Sequence, residues 1–173
     1  MQIRLEPWDD SRKQDLIDLC NGADRTYLTN RLPYPYTEAD ADWWLGKVRE
    51  HDGKDGVFRA VVVGGKAVGN ITVEGKTDVY CKDAELGYIL ATPYWGQGIM
   101  TEATKRICTL AFQTLDLARI TAEVYAPNKA SQRVLEKNSF VLEGQKKNAV
   151  FKNGALWDLY IYGLLKPEGN AHD

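Results

Sequence analysis

The stretch Glu85-Leu86-Gly87-Tyr88-Ile89-Leu90-Ala91-Thr92-Pro93-Tyr94-Trp95-Gly96-Gln97-Gly98-Ile99-Met100-Thr101-Glu102-Ala103-Thr104-Lys105-Arg106-Ile107 changes its rhythm partway along. Leu86 to Leu90 is apolar and aromatic, the run of a buried strand. Pro93 closes it, because proline cannot donate to a ladder. Gly96 and Gly98 allow backbone angles and close approaches that a Cβ would block. From Ile99 the period turns helical. Ile99, Ala103, Ile107, Leu110 and Ala111 share one face, and Glu102, Lys105, Arg106 and Gln113 the other. A glycine turn feeding a helix start presents unpaired N–H groups and the positive dipole end to whatever docks there. Phosphate is the natural guest, and the pyrophosphate of a coenzyme is the expected one. The stretch is no dinucleotide fingerprint, since Thr101 stands at the third glycine position, and it holds no G-x-x-x-x-G-K-[ST] loop. Two glycines alone would fit an ordinary strand–turn–helix connection equally well.

Working outward, 173 residues with 44% hydrophobic and 27% charged side chains describe one folded globular domain rather than a disordered chain. A net charge of −2 leaves no basic field for a polyanion, which argues against nucleic acid as ligand. Cys20, Cys81 and Cys108 form no C-x-x-C pair and suit a reducing compartment. His51 and His172 complete no metal-ligand spacing with them, so no metal is expected. The N-terminus lacks a signal-peptide core and no apolar run reaches the ~20 residues of a membrane span, which points to a cytoplasmic protein.

In chain order, residues 2–6 read as a strand and Asp9 to about Leu19 as a helix with Leu16, Leu19 and Cys20 inward. Thr37 and Asp40 form a capping box for a helix to about Glu50, with Trp43, Trp44 and Val48 inward. Phe58–Val63 and Lys66–Val73 are strands joined at Gly64-Gly65, and Gly75–Lys82 is a loop. Leu117–Tyr125 is a strand and Asn128 to about Asn138 a helix. The last strands are 140–144 and 157–162, joined through a polar loop around 152–154. The order β-α-α-β-β-β-α-β-α-β-β predicts a mixed α/β (α+β) fold with a central, mostly antiparallel sheet flanked by helices. Residues 1–165 form one domain and 166–173 a polar C-terminal tail.

Trp95-Gly96-Gln97-Gly98-Ile99-Met100-Thr101-Glu102-Ala103 resembles the acyl-CoA loop of the GNAT N-acetyltransferases, in particular the RimJ/RimL-like branch. Gly98 matches the family's [R/Q]-x-x-G-x-[G/A], while Trp95 and Met100 depart at its outer positions. The loop works through backbone N–H groups, so neither change removes a donor, although Met100 is expected to narrow the space beside the pyrophosphate. A second stretch, Asn128-Lys129-Ala130-Ser131-Gln132-Arg133-Val134-Leu135-Glu136-Lys137-Asn138-Ser139-Phe140, is similar to the family's N-x-x-S-x-x-v-[L/Y]-E-K-x-G-F. On its own it reads as an N-cap followed by a helix. Ser139 stands where the family has glycine. The resemblance spans nearly the whole chain and implies the GNAT fold, acetyl-CoA as cosubstrate and a primary amine as acceptor.

By that resemblance Trp95 to Thr101 bind the coenzyme, Asn128 hydrogen-bonds its pantetheine arm, and Ser131 lies near the thioester sulfur. Leu32, Tyr34 and Tyr36 sit in the segment that walls the acceptor groove, with Glu74 on the substrate side. An amine is mostly protonated at neutral pH, so the chemistry needs a base, an oxyanion donor and a proton for the thiolate. Glu85 is the expected base and Glu74 the second candidate. A backbone N–H of Ile89 or Leu90 is the expected oxyanion donor. Leu135 occupies the position where several relatives carry a tyrosine acid, which leaves Ser131, with water or Tyr125 behind it. The acceptor is a small molecule or a protein N-terminus, and Leu135 in place of tyrosine together with Met100 in the loop leaves open a non-catalytic acyl-CoA-binding sensor or interaction module of the same fold. A homodimer is compatible with the sequence and not specified by it.

Overall fold

The computed structural model describes residues 1–169. Its elements follow the predicted order: β1 (Ile3–Pro7), α1 (Lys13–Gly22), α2 (Glu38–His51), β2 (Gly56–Val63), β3 (Lys66–Gly75), β4 (Asp83–Leu90), α3 (Ile99–Thr114), β5 (Arg119–Tyr125), α4 (Lys129–Lys137), β6 (Val141–Lys152) and β7 (Ala155–Leu165). They build one seven-stranded sheet in the order β1-β2-β3-β4-β5-β7-β6. Every neighbouring pair is antiparallel except β4 and β5. The alternation of side chains along the strands sends Val57, Val61, Ile71, Val73 and Leu86 into a core with Ile99, Ala103 and Ile107 of α3. Phe58, Ala60 and Val62 point the other way, against Leu16 of α1 and Leu45 of α2. Helices therefore cover both faces.

The parallel pair β4–β5 is where the sheet comes apart. Its partners are Asp83–Arg119, Ala84–Ile120 and Glu85–Thr121, and beyond them the strands diverge. The closed end is held by charge. Asp83 accepts from Lys76 Nζ at 2.6 Å and from Thr121 Oγ1 at 2.9 Å, and Arg119 Nε lies 3.5 Å away. The outer edge of β4 is fixed by β3 and that of β5 by β7, so each half-sheet follows its own twist and the gap widens toward the C-terminal ends.

Two sequence expectations about the elements need correction. Trp43 is 71% exposed. Ala41, Leu45 and Val48 carry the buried face of α2, and Trp43, two residues from both Ala41 and Leu45, falls on the opposite side. Trp44 is half-buried, edge-on to Trp8 at 5.5 Å and Phe58 at 6.2 Å. The polar run after Gly144 belongs to β6, which continues to Lys152 and turns at Asn153-Gly154, with φ of 52° and 75°. An asparagine–glycine pair at positive φ is the two-residue hairpin signal. This turn lies in the polar loop expected around 152–154; the strand leading to it went unread because β6 is a solvent-exposed edge strand with register shifts at Leu142/Gly144 and Lys146/Val150. β7 ends at Leu165, and residues 170–173 of the expected tail lie outside the described residues.

Candidate active site

β4 ends in a short turn, Thr92–Tyr94, and then the two glycines. Gly96 and Gly98 adopt φ of 71° and 77°, the left-handed region where a Cβ is strained. Gly98 caps α3 without a side-chain acceptor. The N–H groups of Ile99, Met100 and Thr101 therefore begin the helix with no acceptor among the described residues. Glu102, the first-turn carboxylate, pairs with Arg106 at 2.7 Å, so its charge is offset beside this anion-favouring end. Met100 is 6% exposed and packs in the core with Ile99. It cannot narrow the loop as the sequence suggested, because its position in the first turn follows the buried face of α3. Trp95 is partly exposed, and its indole Nε1 donates to Leu90 O at 2.8 Å. Gln97 Nε2 donates to Pro93 O at 3.0 Å.

The two edges of β4 differ. Ala91 N–H donates to Val68 O at 2.8 Å, and Ile89 O lies where a Cβ on Gly69 of β3 would meet it at 2.9 Å. Ile89 and Ala91 thus turn their peptide groups to β3, and alternation turns those of Tyr88 and Leu90 to the gap. Of the two expected oxyanion donors, only the Leu90 N–H faces the open side.

Across the gap, Asn128 caps α4: its Oδ1 accepts from Ser131 N–H at 3.2 Å. Ser131 Oγ lies 2.5 Å from Tyr88 Oη, joining α4 to β4 across the gap. Burial pushes the Tyr88 phenol up to about 12, against the opposing pull of its bond to Ser131. Asn138 Nδ2 donates to Thr101 O at 3.1 Å and ties the end of α4 to the first turn of α3. Ser139 follows at φ 66°. Its N–H reaches Glu136 O, and Phe140 N–H reaches Leu135 O, a Schellman closure. A glycine would adopt that conformation without strain.

On the opposite face of the sheet a cleft of about 400 Å³ opens under the segment before α2. Its floor is the cross-strand pairs Asn70–Ile89 and Thr72–Gly87, and Glu74 closes one end opposite Glu85. Leu32, Tyr36, Glu74 and the exposed Trp43 line it, together with Arg31. Tyr36 is largely core and its hydroxyl donates to Asp40 O at 3.4 Å. Tyr34 is outside the wall: it is exposed beneath the Arg25 guanidinium, 4.9 Å from the ring centroid. Arg25 donates to the carbonyls of Leu32 (2.8 Å), Pro33 (2.9 Å) and Cys20 (3.0 Å), and so shapes the wall from behind. Glu74 is paired with Lys47 at 2.6 Å. Glu85 has no ion-pair partner among the described residues. Its carboxyl is raised above the usual range by burial, with Glu123 and Glu74 adding to the shift and Lys76 and Arg31 opposing it. The side chain still meets solvent, so screening limits what this costs the fold. Neither Tyr88 nor Arg25 was singled out from the sequence, since an isolated tyrosine in a strand and an arginine in a loop carry no spacing signal.

A sheet split between two parallel strands, with a capless helix start on one side and a carboxylate-bearing cleft on the other, is the frame of an acyl-coenzyme A-dependent N-acetyltransferase. The chain belongs to the GNAT acetyltransferases: the profile of the acetyltransferase (GNAT) domain matches residues 2–141. It is 32% identical over 169 residues to YdaF of Bacillus subtilis (strain 168), whose name provisionally makes it a ribosomal N-acetyltransferase; the match covers 95% of this chain and 90% of YdaF. A ribosomal-protein-serine acetyltransferase of Escherichia coli (strain K12) is 36% identical over 84 residues, about half of each chain (49% and 47%). Among solved structures, RimL, a ribosomal L7/L12 alpha-N-protein acetyltransferase in complex with coenzyme A, superposes with a TM-score of 0.83 at 24% identity over 95% of this chain and 94% of RimL. The relatives support the RimJ/RimL-like branch. Among the described residues no helix is long and apolar enough to cross a membrane.

Proposed function

We propose that this chain transfers the acetyl group of acetyl-CoA to the N-terminal α-amine of a protein by direct attack on the thioester. The split of β4 from β5 carries the reading. On one side of it stand the open amides of α3 and Ser131, on the other Glu85 and the cleft, and the free Leu90 N–H lies between. The residues suit the cosubstrate. A diphosphate needs several donors and no opposing charge, which the Gly98–Thr101 amides and the Glu102–Arg106 pair provide. Asn128 spends its Oδ1 on the cap and leaves its amide nitrogen for the pantetheine arm.

In this mechanism Glu85, directly or through a water, takes a proton from the acceptor ammonium. Glu74 is the poorer base because Lys47 already holds it. The amine nitrogen forms a bond to the thioester carbon, and the developing oxyanion meets the preorganised Leu90 N–H. The nitrogen gives its second proton to water, the oxyanion collapses to the amide carbonyl, the C–S bond breaks, and the sulfur leaves beside Ser131 as thiolate. A protein acceptor is supported by the ribosomal-protein acetyltransferases among the relatives and by an open cleft with an aromatic wall. Such an acceptor also implies a cytoplasmic site of action.

The test is release of free thiol from acetyl-CoA with peptides carrying a free α-amine, with the same peptides blocked at the N-terminus but bearing lysine, and with small amines. Release confined to free N-termini is expected. Release with small amines alone would overturn the protein acceptor. Coenzyme A binding without thiol release on any amine would replace the enzyme with a binding module.

A further inference from the structure

Ser131 is a weak acid, and its value to a leaving thiolate depends on where its single proton points. A serine hydroxyl has one proton and two lone pairs. Unless something fixes the rotor, the proton can turn to any acceptor nearby. Here two groups grip Ser131. Asn128 Oδ1 holds its backbone N–H at 3.2 Å, and Tyr88 Oη stands 2.5 Å from its Oγ. Tyr88 is held in turn: it is partly buried and packs against the core cluster beneath the sheet, and its hydroxyl meets Ser131 Oγ across the gap.

We infer that the Tyr88 hydroxyl donates to Ser131 Oγ and so turns the Ser131 proton outward, to the sulfur that departs when the C–S bond breaks. Tyr88 is thus a positioning residue for the leaving group. It must stay protonated to donate, and its burial, which holds the phenol up to about 12, ensures this across the neutral range. No proton leaves Tyr88. The sulfur departs with the bonding electron pair as thiolate, accepts the Ser131 hydrogen bond, and takes its proton from water after release. The inference rests on the proposed place of Ser131 beside the thioester.

The test is a double-mutant cycle with Tyr88→Phe and Ser131→Ala, reading kcat, acetyl-CoA KM and melting temperature. Tyr88→Phe keeps the ring in the core and should leave the melting temperature and KM unchanged while kcat falls roughly tenfold, the scale of a hydrogen bond to a charged group. In the Ser131→Ala background the same change should alter kcat by less than about twofold, because the two groups act as one unit. An equal loss in both backgrounds would mean that Tyr88 acts structurally or by itself, and would overturn the inference. No loss on Tyr88→Phe in the parent chain, where Ser131 is present, would overturn it as well. If Ser131→Ala alone keeps full kcat, the place of Ser131 beside the sulfur falls first, and that result is distinct from either of the others.

Discussion

Replacing Asn128 separates two jobs that one side chain holds together. The Oδ1 caps the nine-residue α4 through Ser131 N–H, and the amide nitrogen is assigned to the pantetheine arm. Asn128→Asp retains a cap acceptor of equal rank and removes the donor. Asn128→Ala removes both. The cap is worth about 1 kcal/mol, or roughly 2–4 °C of melting temperature in a chain of this size. One neutral hydrogen bond is also worth about 1 kcal/mol, or roughly fivefold in Kd. Calorimetric titration with coenzyme A should therefore show Asn128→Asp weakened about fivefold at an unchanged melting temperature. Asn128→Ala should be weakened at least as much and should also melt lower. The new carboxylate also repels the diphosphate, but that contribution shrinks as the screening length drops from about 8 Å at ~0.15 M salt to about 3 Å at ~1 M. The fivefold loss should survive at the higher salt. If Asn128→Asp binds coenzyme A as tightly as the parent chain there, the amide nitrogen is not a ligand, and Asn128 is only a cap.

Glu85→Gln should lower kcat by roughly 10²–10⁴ at neutral pH, the usual range for a general base. The gap between variant and parent should close below the raised Glu85 pKa, where the parent's own carboxyl is protonated, and should narrow again at high pH as the acceptor amine loses its proton unaided. A rate ratio that is flat with pH would remove Glu85 as base. The folded state binds the Glu85 proton more tightly than the unfolded chain, so this residue's contribution to stability falls as pH rises through that window. The variant should accordingly melt no lower than the parent at pH 7, which separates lost chemistry from lost fold. At the end of α4, Ser139→Gly relieves a left-handed side chain worth about 1–2 kcal/mol and adds back about 0.5–1 kcal/mol of glycine entropy. A rise of about 1–4 °C in melting temperature with kcat unchanged is expected, and a fall would show that the Ser139 side chain contributes something the backbone conformation does not reveal.

The elements readable from sequence were those whose pattern and tertiary role coincide. Thr37 and Asp40 make a capping box in both senses: Thr37 N–H donates to Asp40 Oδ2 at 2.8 Å, and Asp40 N–H to Thr37 Oγ1 at 3.3 Å. The Gly64-Gly65 hairpin and the strand–turn–helix around Gly98 were legible for the same reason, since positive φ is a local demand that glycine announces. The start of β6 was read at 140–144 but its continuation to Lys152 was not, because an exposed edge strand has no buried face to impose alternation on its residues. Trp43 was misplaced because hydrophobicity alone put it inward, whereas its angular position on α2 sends it out to the rim of the cleft.

The site divides along the same line. Residues that act through the backbone or through a local cap lie within a few positions of a recognisable signal, as Gly96, Gly98 and Asn128 do. A residue placed by long-range contact does not: Tyr88 carried no signal of its own, and its partner Ser131, which stands in the Asn128 motif, is 43 positions away, so only the parting of β4 from β5 lets the phenol reach that hydroxyl. Had the parallel ladder continued past Glu85–Thr121, the Tyr88 and Leu90 peptide groups would have been consumed by β5 and the gap closed. The charged cluster of Lys76, Asp83, Arg119 and Thr121 therefore does more than stabilise a strand end. It holds the two half-sheets together at one end so that they can stay apart at the other, and the free edge of β4 exists because pairing stops there.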